Sequence, residues 1–198
     1  SRSDKEMLDE AVQAARQADV IVAAIGETSE FSGECASRTD LTIFDAQKDL
    51  LTALKATGKP VVLVNFSGRS TVMNWENDNF SAILNVWFGG SEAGDAICDV
   101  LFGDKVPSGR LTVSMPKSVG QLPLYYNHLN TGRPQPEGRP FEKFRSNYID
   151  IDNNPLYPFG YGLSYTTFKY GPLQLDANSM TVYLRGLTDF DPDAPEYV

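Results

Sequence analysis

Cysteine and histidine are scarce in this sequence, and their scarcity excludes several kinds of active site. The 198 residues include two cysteines, Cys35 and Cys98, and one histidine, His128. Two cysteines provide neither a disulfide framework nor the spacing of a metal site. One histidine argues against a histidine-based metal site and against a Ser-His-Asp triad. We therefore expect no metal, and we interpret Cys35 as a small buried or semi-buried thiol and His128 as a hydrogen-bonded loop residue.

Long apolar runs and an excess of positive charge are also missing. No apolar stretch approaches the roughly 18 residues of a membrane span, and segment 1–10 lacks the apolar core of a signal peptide. The 17 Lys and Arg residues against 26 Asp and Glu residues give a net charge of −9, which argues against nucleic acids and anionic membranes as partners. We expect either a cytoplasmic protein or a leader upstream of Ser1.

Phosphate-binding glycine motifs are absent as well. The sequence has no GxxxxGK[ST] motif and no GxGxxG motif at a predicted strand-to-helix turn. We interpret the glycines of 67–69 and 89–94 as tight-turn residues, with Ser91 at most a weak anion site. A flavodoxin-like nucleotide-binding domain therefore has only a general likeness of fold in its favour.

The first half of the chain, up to about residue 115, alternates between helix-like and strand-like segments. The patterns predict helices over 4–17 and 44–57, a third helix capped by Ser91 and running to about 102, and strands over 20–25, 60–66 and 82–88. Continuous apolar strands are typical of sheets covered on both faces. Alternation with helices implies right-handed crossovers between parallel strands. We therefore predict an α/β fold with an open, mostly parallel sheet sandwiched by helices.

Three glutamates, Glu27, Glu30 and Glu34, follow the first predicted strand. The carboxyl ends of parallel strands meet at one edge of a sheet, where ligands bind, so 67–69 and 89–92 are expected at the same edge. A carboxyl held there suits a general acid/base, because burial or a second carboxylate can raise its pKa. The alternative is a solvated acidic loop.

The second half of the chain is rich in proline, glycine, asparagine and aromatic residues. Segment 141–170 alone contains nine aromatic residues, and its prolines and glycines disfavour regular helix. The rings need a surface to bury them. We therefore predict a long, irregular, aromatic-rich segment that either covers the domain's own sheet or wraps against another domain.

Several motifs in combination resemble glycoside hydrolase family 3. They are GE at 26–27, SGECASRTDLTI at 32–43, TGKPVVLV at 57–64, SGR at 67–69, WFGGSEAG at 87–94, PSGRL at 107–111 and YPFGYGLSYTTF at 157–168. The resemblance covers about 6–168 and is to the family's second, α/β-sandwich domain. The run YYNHLNTGRP at 125–134 is similar to that of bacterial periplasmic β-glucosidases.

The resemblance implies a retaining, exo-acting β-glucosidase with an active site shared between two domains. An aspartate nucleophile would come from an N-terminal barrel domain, and the acid/base would be Glu34, which precedes the run ASRTD. Glu27, Arg38 and Asp40 would support the loop or the substrate. The implied partners are a β-glucoside oligosaccharide and the barrel of the same polypeptide. The implied location is periplasmic or exported, and no cofactor is implied.

The barrel and the domain's usual opening strand are absent from this sequence. A retaining mechanism needs two carboxyls about 5–5.5 Å apart, so we expect this chain alone to be inactive. The resemblance fades near Thr181, which predicts a domain over 1–181 and an unmatched tail over 182–198. The alternative function is a non-catalytic carbohydrate-binding or domain-assembly module, anchored by Trp75, Trp87 and the segment 157–168.

Overall fold

The computed structural model describes residues 2–130, 132–172 and 179. Its regular elements, in chain order, are α1 (Asp4–Gln17), β1 (Ile21–Gly26), α2 (Asp45–Lys55), β2 (Val61–Phe66), α3 (Asn74–Asn79), β3 (Ala82–Asn85) and α4 (Ala93–Phe102), with 3₁₀ turns at Ser29–Phe31 and Val119–Gln121. The chain divides into two compact units, 1–165 and 166–198. The predicted boundary at Thr181 and the tail over 182–198 lie outside the described residues. None of the helices in the described ranges is long and apolar enough to cross a membrane.

The three strands form one parallel sheet with β2 in the middle. Ile21 of β1 lies opposite Val61 of β2, and Val62 of β2 lies opposite Ala82 of β3. Helix α2 connects β1 to β2 and α3 connects β2 to β3, as the alternating pattern requires. The predicted α/β fold with a parallel sheet is confirmed.

Local capping accounts for the helix ends that the sequence predicts well. The hydroxyl of Ser3 accepts the Glu6 amide, and the Glu6 carboxylate accepts the Ser3 amide, so a complete capping box begins α1. Gly103 ends α4 in the left-handed conformation, with φ of 83°. The predicted cap at Ser91 is wrong, because Glu92 is the residue before the helix and makes no side-chain capping bond.

The hydrophobic core includes residues of β1 and β2 together with α1 and α2. Its buried members include Ala15, Ile21, Leu51, Leu54 and Leu63. The prediction that β1 is covered on both faces is wrong for this chain. Burial alternates along the strand, and Val22 remains 51% exposed, because successive side chains point to opposite faces and only one is well covered.

The third strand is shorter than predicted, and the irregular half divides into a packed part and an exposed part. β3 ends at Asn85, shortly before Trp87 adopts a φ of 54°. Farther along, the amide of Met115 donates to the carbonyl of Tyr157 at 2.8 Å, and the amide of Leu156 donates back to Met115 at 2.8 Å.

This backbone pairing holds the Leu156 part of the aromatic-rich segment against the domain, where Leu156 packs on the core and Met115 is buried. Phe141 and Phe144, earlier in the same segment, remain exposed. The aromatic-rich segment therefore covers the domain's own surface around Leu156, whereas the rings of Phe141 and Phe144 are not buried there.

Candidate active site

The candidate site begins where β1 ends, at a glycine that no other residue could replace without a clash. Gly26 has φ of +140°, and a Cβ there would lie 1.8 Å from the carbonyl oxygen of Phe66 on β2. The side chain of Gln47 on α2 accepts from the Gly26 amide at 3.1 Å and donates to its carbonyl at 2.8 Å. The next amide, that of Glu27, donates to Phe66 at 2.8 Å. These bonds fix the position from which the Glu27 side chain leaves the sheet.

Glu27 is a buried carboxylate held by two guanidinium groups. Its side chain is 2% exposed. Arg38 and Arg69 donate to the same oxygen, Oε1, at 2.8 and 2.6 Å, and the Ser67 hydroxyl donates to Oε2 at 3.3 Å. Burial is the largest single influence on the pKa of Glu27 and raises it, but the bonds from Arg38, Arg69 and Ser67 together lower it below its ordinary value. Glu27 is therefore ionised at neutral pH and suited to anchor rather than to donate a proton.

The two arginines tie the loop after β1 to this buried carboxylate. Arg69 also donates to the carbonyl of Phe31 at 2.7 Å and, through its other terminal nitrogen, to the carbonyl of Ala36. Arg38 donates to the carbonyl of Thr42 at 3.2 Å. The loop backbone is thus bound to charged groups at three points.

Glu34 lies between two of those points, in a sharply turned part of the loop. Gly33 has φ of 111° and Cys35 has φ of 59°, and the amide of Ala36 donates to the carbonyl of Gly33 at 3.3 Å. The side chain of Glu34 is exposed. The result is a solvent-facing carboxyl on a backbone that is tethered on both sides.

The other predicted residues of this loop have separate surroundings. The carboxylate of Asp40 accepts the Thr42 amide at 2.8 Å, and this bond lowers the pKa of Asp40. Asp40 therefore stabilises a local turn and makes no direct bond to Glu27. Glu30 lies exposed in the 3₁₀ turn. Cys35 is exposed, so the prediction of a buried or semi-buried thiol is wrong. The turn at Cys35 leaves its side chain on the outer surface.

The residues of the alternative, carbohydrate-binding interpretation lie in different local contacts. Trp75 on α3 packs edge-on against Phe80 at 5.4 Å, with the ammonium of Lys55 5.8 Å from its ring centre. Tyr157 stacks on Tyr161 at 5.0 Å. In the part of the chain that the structure describes, no ring contact joins Trp75 to Trp87. Trp75 and Tyr157 thus pack against different rings.

Arg69 and Ser67 are the residues of this site that the sequence argument missed. The glycine of segment 67–69 indicates a tight turn, and the parallel-sheet pattern predicts that the segment lies at the same edge as Glu27. The signal that could have identified Arg69 is a cation soon after β2, the strand next to β1 and its acidic loop. Neighbouring parallel strands bring the residues that follow them to the same edge of the sheet. The turn is also real, because the Ser67 hydroxyl accepts the Arg69 amide at 3.1 Å.

Comparison with known proteins places this chain in a family. The glycosyl hydrolase family 3 C-terminal domain profile matches residues 2–165. A periplasmic beta-glucosidase of Salmonella typhimurium is 56% identical over 179 residues, which are 90% of this chain and 23% of that protein. A beta-xylosidase of Formosa agariphila is 43% identical over 180 residues, with 89% and 23% covered.

Solved structures give the same result. The beta-glucosidase of Listeria innocua, in complex with gluconolactone, superposes with a TM-score of 0.80 at 41% identity, over 85% of this chain and 23% of that one. The chain therefore spans about a quarter of the length of these relatives. The chain belongs to glycoside hydrolase family 3 and carries that family's C-terminal domain.

Proposed function

We propose that this chain supplies the acid/base carboxyl, Glu34, of a retaining, exo-acting β-glucosidase whose nucleophile lies in a barrel domain of the same polypeptide. The observation that carries the proposal is the tethered loop: Glu34 is exposed between two carbonyls, those of Phe31 and Ala36, that Arg69 holds at the edge of the sheet. A carboxyl presented in this way can reach a substrate bound by a neighbouring domain.

The chemistry needs Glu34 in two protonation states. As an acid it donates its proton to the glycosidic oxygen while the barrel nucleophile attacks the anomeric carbon. As a base it then takes a proton from the water that releases the covalent glycosyl intermediate. In the isolated chain the carboxyl faces solvent. Contact with a barrel and a sugar would exclude water from the carboxyl, as the closing of an active site does.

The substrate class and location rest on the relatives. Beta-glucosidases of Salmonella typhimurium and Listeria innocua support a terminal β-glucosyl residue as the unit released. The Salmonella protein is named periplasmic, which supports an exported location. No metal or organic cofactor enters this mechanism, because two carboxyls suffice for both steps.

The test uses a hybrid enzyme in which this chain replaces the matching segment of the Salmonella typhimurium enzyme. We expect Glu34→Ala to reduce kcat/KM for cellobiose by about 10²–10⁴-fold, the usual contribution of a general acid. Azide, which needs no general base, should accelerate turnover of an activated aryl glucoside by this variant and yield the β-glucosyl azide.

The matched control is Glu30→Ala, which changes an exposed carboxyl of the same loop and should leave kcat/KM unchanged. Near-normal turnover of cellobiose by the Glu34→Ala hybrid would refute the assignment. A hybrid that folds but has no activity with Glu34 intact would also contradict the proposal, because the domain would then fail to provide the group.

A further inference from the structure

We infer that Arg69 is the positioning residue of the acid/base, holding the Glu34 loop in its working geometry. This inference rests on the proposed function of Glu34. It concerns a residue that follows β2, 35 positions after Glu34 in the numbering, and whose side chain crosses the sheet edge to the other loop. Its guanidinium meets the Glu27 carboxylate and two loop carbonyls at once.

The geometry of these bonds explains why one side chain can fix the whole turn. The Nη1 atom donates to Glu27 Oε1 at 2.6 Å and to the Phe31 carbonyl at 2.7 Å. The Nη2 atom donates to the carbonyl of Ala36. Phe31 precedes Glu34 and Ala36 follows it, so the two backbone arms of the turn meet on one planar group. The planar, rigid fork of arginine is suited to bridging acceptors in this way.

The anchor itself is rigid because the ends of two strands share it. Glu27 follows β1 and its side chain is 2% exposed, whereas Ser67 and Arg69 follow β2. The Ser67 hydroxyl donates to Glu27 and accepts the Arg69 amide. The backbone of Arg69 and its guanidinium are therefore tied to the same buried carboxylate.

The turn needs such an anchor because its backbone is otherwise unfavourable. Cys35 has φ of 59°, a conformation that residues other than glycine seldom adopt. On the other side of Glu34, Gly33 has no side chain that could pack and hold the turn in place. A general acid must lie within about 2.6–3.2 Å of the oxygen it protonates, and a misplacement of about 1 Å can cost about 10²-fold in rate. Loss of the two carbonyl bonds would therefore affect the proton transfer specifically.

Arg69→Lys separates positioning from simple charge. A lysine ammonium can pair with Glu27, but a single nitrogen lacks the fork that spans Phe31 and Ala36. In the hybrid enzyme we expect kcat/KM for cellobiose to fall about 10–100-fold. For 2,4-dinitrophenyl β-glucoside, whose leaving group needs little protonation, we expect kcat/KM to change less than about threefold. The control is Arg110→Lys, which alters an exposed arginine that donates to the carbonyl of Gly109.

A second measurement uses the 198-residue chain itself and needs no activity. Hydrogen exchange should become faster at the amides of segment 28–40 in the Arg69→Lys chain, with exchange in β1 and β2 unchanged. A merely structural role predicts the opposite pattern: faster exchange throughout the sheet and equal losses of kcat/KM for both substrates.

The outcomes distinguish this inference from the proposed function. If Glu34→Ala abolishes cellobiose turnover while Arg69→Lys leaves kcat/KM and loop exchange unchanged, Glu34 keeps its role and the positioning role of Arg69 is refuted. If Glu34→Ala is active on cellobiose, the proposed function fails and the positioning role fails with it. Selective loss on cellobiose together with faster exchange in 28–40 supports both.

Discussion

The buried carboxylate of Glu27 provides the sharpest test of the forces that hold the candidate site together. Glu27→Gln removes the negative charge and preserves the size of the side chain. Arg38 and Arg69 then face a neutral amide, although their side chains are only 15% and 20% exposed. Two guanidinium groups close to one another lose their counter-ion, so we expect the folded state to be destabilised.

The size of the effect follows from the burial of the pair. Removing one partner of a buried ion pair costs about 3–5 kcal/mol. The amide oxygen can still accept a hydrogen bond, and the arginines retain some contact with water, which screens the charges. We therefore expect a loss at the lower end of this range, about 3 kcal/mol in the free energy of unfolding at pH 7. For a chain of this size that corresponds to a fall in Tm of about 6–12 °C.

The pH dependence supplies an independent check. The pKa of Glu27 is lowered in the folded state, so its contribution to stability is present above the unfolded pKa of about 4.3 and is lost as the pH falls through the lower folded value. The stabilities of wild type and Glu27→Gln should therefore approach each other as the pH falls below about 4.3 and converge below the folded pKa of Glu27.

Urea denaturation of the 198-residue chain, followed by circular dichroism at pH 7 and across the acid range, measures both effects. Glu30→Gln is the control, because it neutralises an exposed carboxylate of the same loop and should change stability by less than about 0.5 kcal/mol. A cost below about 1 kcal/mol for Glu27→Gln at pH 7, or a cost that persists unchanged in acid, would refute the reasoning.

Two further predictions concern Glu76 and Gly26. Glu76 on α3 is 3% exposed and burial raises its pKa, so its ionisation costs stability as the pH rises through the folded pKa. Glu76→Gln should therefore unfold at a higher urea concentration than wild type at pH 8, and this gain should shrink towards pH 4. A difference that stays constant with pH would contradict this. Gly26→Ala would place a Cβ 1.8 Å from the Phe66 carbonyl oxygen and should cost more than about 4 kcal/mol in the free energy of unfolding or prevent folding. The control is Gly90→Ala, whose Cβ would meet no atom within 4 Å and which should melt within a few degrees of wild type. Equal melting temperatures for both variants would show that the end of β1 can shift.

Elements with strong local signals could be predicted from the sequence. Helix 4–17 was predicted with its observed bounds from its helical pattern, and the structure adds a capping box formed by Ser3 and Glu6. The strands over 20–25 and 60–66 were predicted within one residue, since short apolar runs between helices leave few alternatives. Helix α3 was missed because NWENDN has no apolar period, and the burial of Glu76 depends on its packing.

The candidate site also contains residues that could be predicted from the sequence and residues that could not. The resemblance led to Glu34, whose catalytic role stays a prediction, and to Glu27 and Arg38, which the structure joins at 2.8 Å. No local pattern indicated that Arg69 would bond to Phe31 and Ala36. Such contacts arise only when two distant segments reach the same sheet edge.

The sequence by itself determined the parallel α/β architecture, because apolar periodicity, caps and the handedness of crossovers depend on residues close together in the chain. The tertiary structure alone decided which charges meet. It placed Glu27 after β1 beside Arg69 after β2, and it left one face of β1 largely uncovered. Register, burial and hydrogen bonds between distant segments are properties of packing, which local sequence preferences do not determine.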